Sequence, residues 1–565
     1  MKYSALLFRT SKTISPDLAK NAKLLTQAGY IHQELAGVYT FLPLGLRVLN
    51  KIEAIVREEM DKVAQEILMT SLAPQKNWQQ TGRLETVDVL MKTTGANPAS
   101  LAKNSNEYVL SSTHEEIVTP LVQGYLNSYK ELPVGVYQIQ TKFRNEPRAK
   151  SGLLRCREFR MKDAYSFHRS AEDLQKYYEQ MKDVYMKIFE RVGLGKDTVL
   201  TLASGGDFTP DFSHEFQTIC DAGEDTIFQV PSTGLTFNRE VAPSQAEPMN
   251  NENEELKAKE DVLGKGIIGV EELAAFLKIP VDKTTKTLIL ETDDGKVVAA
   301  AVRGTYQINL EKLAKIIGCK KLAMASAETV ERVTGAKVGY AGVLNLPKEV
   351  AIYFDESCKG RRNFECGANK TDYHSINVNF GRDIPEPEKF YDIKLAREGD
   401  RYPETGEVYT VNKACEVGNI FPLNTKFSKA FGFEYMDENS KPQPIYMGCY
   451  GIGPSRVMGV LVEKFADEKG LVWPKQVAPY QVHLIDINAG EAGQKLYDTL
   501  TTAGIEVLWD DRDTRPGEKF ADAELLGIPN RVVISAKTGD KVEWKERSDD
   551  KTELISVEDL IKKVK

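Results

Sequence analysis

The sequence predicts a multidomain α/β protein: an α+β core, a second α/β unit inserted into that core, and a small α/β domain at the C-terminal end. Three observations predict it. At 565 residues the chain is long enough for about three or four domains. Composition changes after Gln217, and two polar connectors, 245–261 and 383–407, set off a stretch with its own strand–helix rhythm. From Trp473 onward, apolar runs alternate with a helical pattern in βαβ fashion.

The bulk properties bound the function. Hydrophobic residues at 41% and charged residues at 28% fit an ordinary globular protein. A net charge of -8 argues against indiscriminate nucleic-acid binding, while leaving room for a local basic face. The first 25 residues scatter Lys2, Arg9, Lys12, Asp17 and Lys20 among apolar side chains, so neither a secretory signal nor a membrane span is expected. Seven cysteines without a CxxC pair read as free thiols in a reducing compartment, and the cytoplasm is the expected location. Cys358, Cys366 and His374 are widely spaced and lack a fourth ligand, so no zinc is expected.

The elements follow in chain order. Leu49, Ile52, Val56, Met60 and Val63 recur at helical spacing within 45–74, a long helix that runs into a strand ending at Pro74. A second helix covers Ala171–Val192, with Leu174, Tyr178, Met181, Tyr185, Ile188 and Val192 on one face. The connector 245–261, with Glu247, Asn250, Glu252 and Glu254, is polar and acidic. It leads to a helix at Val270–Leu277, strands at 285–290 and 297–302 around an Asp293-Asp294-Gly295 turn, and helices at Leu310–Ile317 and 327–333. In the last domain Val482–Ile487, 505–509 and 531–535 read as strands, 492–503 as a helix, and 510–518 as a charged loop with Arg512 and Arg515.

Two arginine-bearing segments carry the chemistry. The first is Lys142-Phe143-Arg144-Asn145-Glu146 with Arg155-Cys156-Arg157-Glu158-Phe159; the second is Gly448-Cys449-Tyr450-Gly451-Ile452-Gly453-Pro454-Ser455-Arg456. A guanidinium holds a phosphate through two parallel hydrogen bonds and also stacks flat on a base. With no GxxxxGK[ST] loop present, these arginines point to a polyphosphate nucleotide held without a glycine cradle.

Together the segments resemble motifs 2 and 3 of the class II aminoacyl-tRNA synthetases, and 45–74 resembles their motif 1, the dimer-interface unit. Neighbouring residues narrow the resemblance to the bacterial prolyl-tRNA synthetases. That resemblance implies a class II antiparallel catalytic sheet, ATP with Mg²⁺, proline and tRNA(Pro) as substrates, and a homodimer. It implies that Arg144 meets the α-phosphate and the proline carboxylate, Arg155 the outer phosphates, and Glu146 the adenine amino group. Phe159 and Arg456 would sandwich the adenine. Thr113 and Glu115, in Ser112-Thr113-His114-Glu115, would meet the proline ammonium. Met161, Asp163 and Tyr165 alternate after motif 2 and so share one strand face; with Phe216 and Cys449 they would wall the proline pocket. Glu416 and Asn419, in Glu416-Val417-Gly418-Asn419, would hold the ATP ribose and the magnesium-bound phosphates, Glu416 being the metal-side carboxylate.

The inserted stretch resembles the editing domain of the same enzymes. Alanine is smaller than proline, and each missing methylene gives only about 1–3 kcal/mol of discrimination, so a second hydrolytic site is the physical remedy. Lys286, His374 and Gly339 match that domain's functional positions. In the loop Gly339-Tyr340-Ala341-Gly342-Val343, valine stands where the family has proline, a change expected to loosen the turn. The expected division is 1–221 and 409–471 for the catalytic core, 222–408 for the editing domain, and 472–565 for anticodon binding. Two alternatives remain at this point. Another class IIa synthetase, chiefly threonyl, needs a zinc site; an inactive tRNA-binding paralogue usually lacks the phosphate arginines.

Overall fold

Pro43 starts the helix Pro43–Met60, a position where its missing N–H has no helical acceptor to lose. Val48, Leu49, Ile52, Val56 and Met60 of that helix are buried, and the chain leaves it through the short strands Gln65–Glu66 and Leu72–Pro74. The helix Ala171–Val192 is capped by Ser170, whose side chain accepts from the Asp173 N–H at 3.2 Å. It ends at Gly193, whose φ of 101° suits a residue without a Cβ. The protein is described here as a computed structural model covering residues 1–11, 18–126, 128–149, 151–249, 251, 253–319 and 321–565. Lys12, Asp17, Asn250 and Glu252, named above, lie outside these residues.

The chain divides into two units. One comprises Met1–Leu200, Gly205–Glu224 and Lys413–Lys565; the other comprises Thr201–Ser204 and Asp225–Asn412. In the first unit, Phe212–Ile219, Thr410–Asn424, Tyr446–Ile452, Glu158–His168 and Val134–Phe143 lie side by side, all antiparallel. Gln65–Glu66 adds a parallel edge. Register decides which side chains share a face. Lys162, Ala164, Ile420, Tyr450, Ile452 and Phe216 point to the helical layer, and most of them join Tyr178, Tyr185, Ile188 and Phe189 in one buried cluster. Phe159, Met161, Asp163, Cys449, Gly451, Asn419 and Phe421 take the opposite face by the same alternation.

The C-terminal part of this unit is a sheet ordered Val507–Asp510, Val482–Ile487, Asn530–Ser535, Val542–Glu546 and Glu553–Ile555, the first three strands parallel. The expected strand at 505–509 begins two residues later, because the Ile505 N–H still bonds back to Leu500 O at 3.0 Å in the helix exit. The expected loop 510–518 is shortened by the helix Pro516–Leu526.

In the second unit, Leu322–Met324, Thr285–Thr292, Val297–Arg303 and Ala351–Phe354 form a four-stranded sheet. A smaller sheet joins Glu260–Leu263, Tyr373–Val378 and Phe364–Gly367. The helices Val270–Leu277, Leu310–Ile317 and Ala327–Thr334 stand where helical spacing predicts them. Among the described residues no helix is long and apolar enough to cross a membrane.

Candidate active site

A cleft on the polar face of the first unit's sheet is lined by Thr113, Arg144, Phe159, Met161, Asp163, Phe208, Glu416, Asn419, Phe421, Cys449, Gly451 and Arg456. Residues far apart in sequence meet here because neighbouring strands share one side-chain face. Gly451 lies at its floor, where an added Cβ would find no atom closer than 3.9 Å and would project into the open space.

One end of the cleft is cationic and aromatic. The Arg144 guanidinium sits 5.2 Å from the centre of the Phe159 ring, and its side chain has no hydrogen-bond or ion-pair partner among the described residues. Burial and the nearby Arg456 both hold its pKa below the ordinary arginine value. Arg456 Nη1 donates to the Glu416 backbone O at 3.1 Å and lies 3.3 Å from Glu416 Oε2. Asn419 Nδ2 bridges Glu416 Oε1 at 3.1 Å and Glu215 Oε1 at 3.3 Å, while its Oδ1 is buried without a partner. Two carboxylates and an unfilled amide oxygen suit a hard cation such as Mg²⁺.

The other end is anionic. Glu115 is fully buried directly behind the lining wall. Its Oε1 is 3.1 Å from Cys449 Sγ, and its Oε2 accepts from the Thr113 hydroxyl. Below the cleft, Asp163 accepts from Lys142 Nζ at 2.7 Å, Gln138 Nε2 at 2.9 Å and the Tyr165 hydroxyl at 3.0 Å. Burial pushes the Asp163 carboxyl up, but the Lys142 ammonium, His114 and these hydrogen bonds outweigh it and hold it below the usual range. Tyr165 also accepts from the His114 N–H at 3.1 Å, so it braces the wall from behind.

Several expected site residues take other positions. Phe216 is fully buried on the helical face, with ring centres 5.0 Å from Tyr185 and 5.5 Å from Phe189. It sits one residue out of phase with Glu215, which shares the cleft face with Asn419. Glu146 and Arg155 form an ion pair at 2.8 Å outside the lining residues, and Arg155 also reaches Glu224 at 3.3 Å. His214, two residues before Phe216 on the same strand, also faces the helix, its Nδ1 3.0 Å from the Tyr178 hydroxyl. In the charged stretch of the last domain, Arg512 is bound by Asp510 and Asp522 and Lys519 is buried against the Asp486 and Asp510 carbonyls, while Arg515 is exposed. Phe208, Phe421 and Gln138 carry no motif; strand alternation opposite Asp163 is the signal that points to Gln138.

The second unit has a cavity of its own, about 310 Å³, lined among others by Thr285, Lys286, Gly339, Glu365, Gly367 and His374. Lys286 Nζ donates to Tyr306 O at 3.1 Å. His374 Nδ1 lies 3.1 Å from Glu365 Oε1, and its Nε2 lies 2.9 Å from Ile267 O. Burial lowers the His374 pKa, yet the Glu365 carboxylate and these bonds bring it above the ordinary histidine value. Val343 is buried among Phe354, Phe364 and Val378, and Asn369 fastens the loop, its Oδ1 accepting from the Gly342 N–H at 2.7 Å.

Comparison with known proteins places the chain. The tRNA synthetase class II core domain (G, H, P, S and T) family matches residues 99–465, and the anticodon binding domain family matches 477–565. The chain is 42% identical to a proline–tRNA ligase of Thermoanaerobacter pseudethanolicus, over 100% of this chain and 99% of the relative. It is 39% identical to that of Bacillus cereus, over 99% and 98%, and 39% identical to that of Burkholderia multivorans, over 98% and 97%. Among solved structures, the Cryptosporidium parvum prolyl-tRNA synthetase complexed with halofuginone and AMPPNP aligns with a TM-score of 0.58 at 15% identity, covering 99% of this chain and 78% of that one. The Giardia lamblia enzyme in complex with prolyl-adenylate gives 0.56 at 15%, covering 95% and 74%; both likenesses concern the fold. A full-length match of this kind, on an antiparallel core sheet whose cleft carries Arg144 and Arg456, shows that the chain belongs to the proline–tRNA ligase family of class II tRNA synthetases.

Proposed function

We propose that the chain performs the family's reaction in this cleft, activating proline with ATP and passing it to tRNA(Pro). The observation that carries the reading is that Arg144, Phe159 and Arg456 share one cleft with Thr113 and Cys449, behind which Glu115 is buried. A zwitterionic amino acid and a nucleotide phosphate need such an arrangement, cations for the reacting anions and a carboxylate for the ammonium. The proline carboxylate oxygen attacks the α-phosphorus, the P–O bond to the β-phosphate breaks, and pyrophosphate leaves. The terminal ribose hydroxyl of the tRNA then attacks the prolyl carbonyl, AMP departs, and the hydroxyl proton passes to solvent.

Catalysis here is positioning and charge neutralisation, not attack by a protein nucleophile. Arg144, at the cationic end of the cleft, would hold the carboxylate and α-phosphate together. Arg456 and the Phe159 ring offer flat surfaces to adenine, and the Glu146–Arg155 pair must open for those residues to reach the base and the outer phosphates. Glu416, Glu215 and Asn419 would hold Mg²⁺, which when bound supplies charge neutralisation of the phosphates. The homodimer would form through the motif 1 region, where Leu68 is 76% exposed, and all seven cysteines are free thiols, as a cytoplasmic protein requires. The inserted unit would hydrolyse mischarged alanyl-tRNA(Pro) in the cavity with Lys286, Gly339 and His374. We retain 222–408 as the editing domain and 472–565 as the anticodon-binding domain.

The test is proline-dependent ATP–pyrophosphate exchange by Arg144→Ala. Loss of about a hundredfold or more is expected, the size of a lost transition-state contact to a developing charge, with melting unchanged. Exchange within about tenfold of wild type removes Arg144 from the reaction.

A further inference from the structure

Arg83 belongs to none of the synthetase motifs, yet it is 4% exposed beside the anionic end of the cleft. Its Nη1 lies 2.9 and 3.2 Å from the two oxygens of Glu116 and 3.4 Å from Glu115 Oε2. Its guanidinium carbon faces three rings, Trp78 at 5.3 Å, Phe208 at 4.9 Å and Phe427 at 5.3 Å. Phe208 itself lines the cleft and stacks on Phe421 with ring centres 4.5 Å apart. A buried guanidinium is costly unless its charge is met, and carboxylates and ring faces meet it here through Nη1 and the guanidinium plane, while Nε is buried without a hydrogen-bond partner among the described residues.

Glu115 and Glu116 are consecutive, fully buried carboxylates in the first turn of the helix Glu115–Gln123. The helix terminus favours anions, but two of them side by side repel each other unless a cation lies between. Thr81 donates to Glu116 Oε1 at 3.0 Å. Lys426 feels Arg83, Glu115 and Glu116 from the helix Lys426–Phe431, with Asp207 near it. On the other side stand His114 and the Lys142–Asp163 pair. Burial, together with the neighbouring Glu115 charge, keeps the Glu116 carboxyl above its ordinary range even though Arg83 pulls it down, so loss of that cation would favour its protonated form still further.

We propose that Arg83 is a positioning residue for the amino-acid site, clamping Glu115 and Glu116 from behind so that Glu115 presents a fixed carboxylate edge to the substrate ammonium. The proposal rests on the reading of Glu115 as the ammonium partner. Its role reaches the substrate only through Glu115 and through the Phe208 ring that Arg83 supports. Loss of the clamp therefore acts on the amino acid and leaves the nucleotide end untouched.

The experiment is ATP–pyrophosphate exchange with full kinetics in proline and in ATP for Arg83→Gln, Arg83→Lys and Glu115→Gln. Arg83→Gln is expected to raise the proline KM by about thirtyfold with the ATP KM within about twofold, and Arg83→Lys, a point charge without the planar fork, to fall between it and wild type. A proline KM unchanged in Arg83→Gln, or equal losses for proline and ATP, overturns the clamp. If Arg83→Gln does not fold, Arg83→Lys decides: a selectively raised proline KM supports the clamp, an unchanged one overturns it. When Glu115→Gln raises the proline KM and the Arg83 variants do not, the clamp alone fails; when none raises it, the reading of Glu115 fails first.

Discussion

Asp163 shows how much a single buried charge depends on its company. It is 2% exposed and ion-paired with Lys142, which is itself fully buried. Lys142→Met strands the carboxylate and is expected to cost about 3–5 kcal/mol, read as a lower Tm, while Lys142→Met with Asp163→Asn recovers most of it. The pH dependence has a definite sign. Because the folded pKa of Asp163 is lowered, its stabilising contribution is present above the unfolded carboxylate value and is lost as pH falls through the lower folded value. Acid melts of wild type should show a loss that Asp163→Asn lacks. At this scale Met161 and Asp163 were legible because their spacing puts them on one strand face, and Arg144, Phe159, Cys449 and Arg456 because the motif resemblance singled them out; all six line one cleft. Phe216 was misplaced by one residue of strand phase, and Arg83 was invisible because its partners come together only in three dimensions.

At the scale of elements, the helices Ala171–Val192, Val270–Leu277 and Leu310–Ile317 were readable from the pattern of their apolar residues. The charged stretch after Trp509 was misread as loop, because Pro516 starts a helix there and draws Lys519 inward onto main-chain carbonyls. Close backbone crossings leave no such pattern. An added Cβ on Gly342 would lie 1.8 Å from Gly367 O, a crossing beside the cavity of Lys286 and His374. Gly342→Ala is expected to destabilise the second unit by about 1–3 kcal/mol and to slow deacylation of preformed alanyl-tRNA(Pro), with proline activation within about twofold of wild type. Undiminished deacylation would show that the loop does not shape the hydrolytic site.

For the whole molecule, the composition change, the polar connectors and the strand–helix rhythm between them pointed to a long block that interrupts the core, and Asp225–Asn412 with Thr201–Ser204 forms a separate compact unit. Lys286 belongs to that unit and Arg144 to the other. Lys286→Ala should therefore spare prolyl-tRNA formation and impair alanyl-tRNA(Pro) hydrolysis, whereas loss of both activities would show that the inserted unit supports the core. The central claim is that the cleft of Arg144, Glu115 and Arg456 activates proline. Its most direct measurement is amino-acid-dependent ATP–pyrophosphate exchange by the wild-type chain with proline, alanine and threonine. The account predicts strong exchange with proline, weak exchange with alanine and none with threonine; no exchange with proline, or threonine as the preferred substrate, would contradict it.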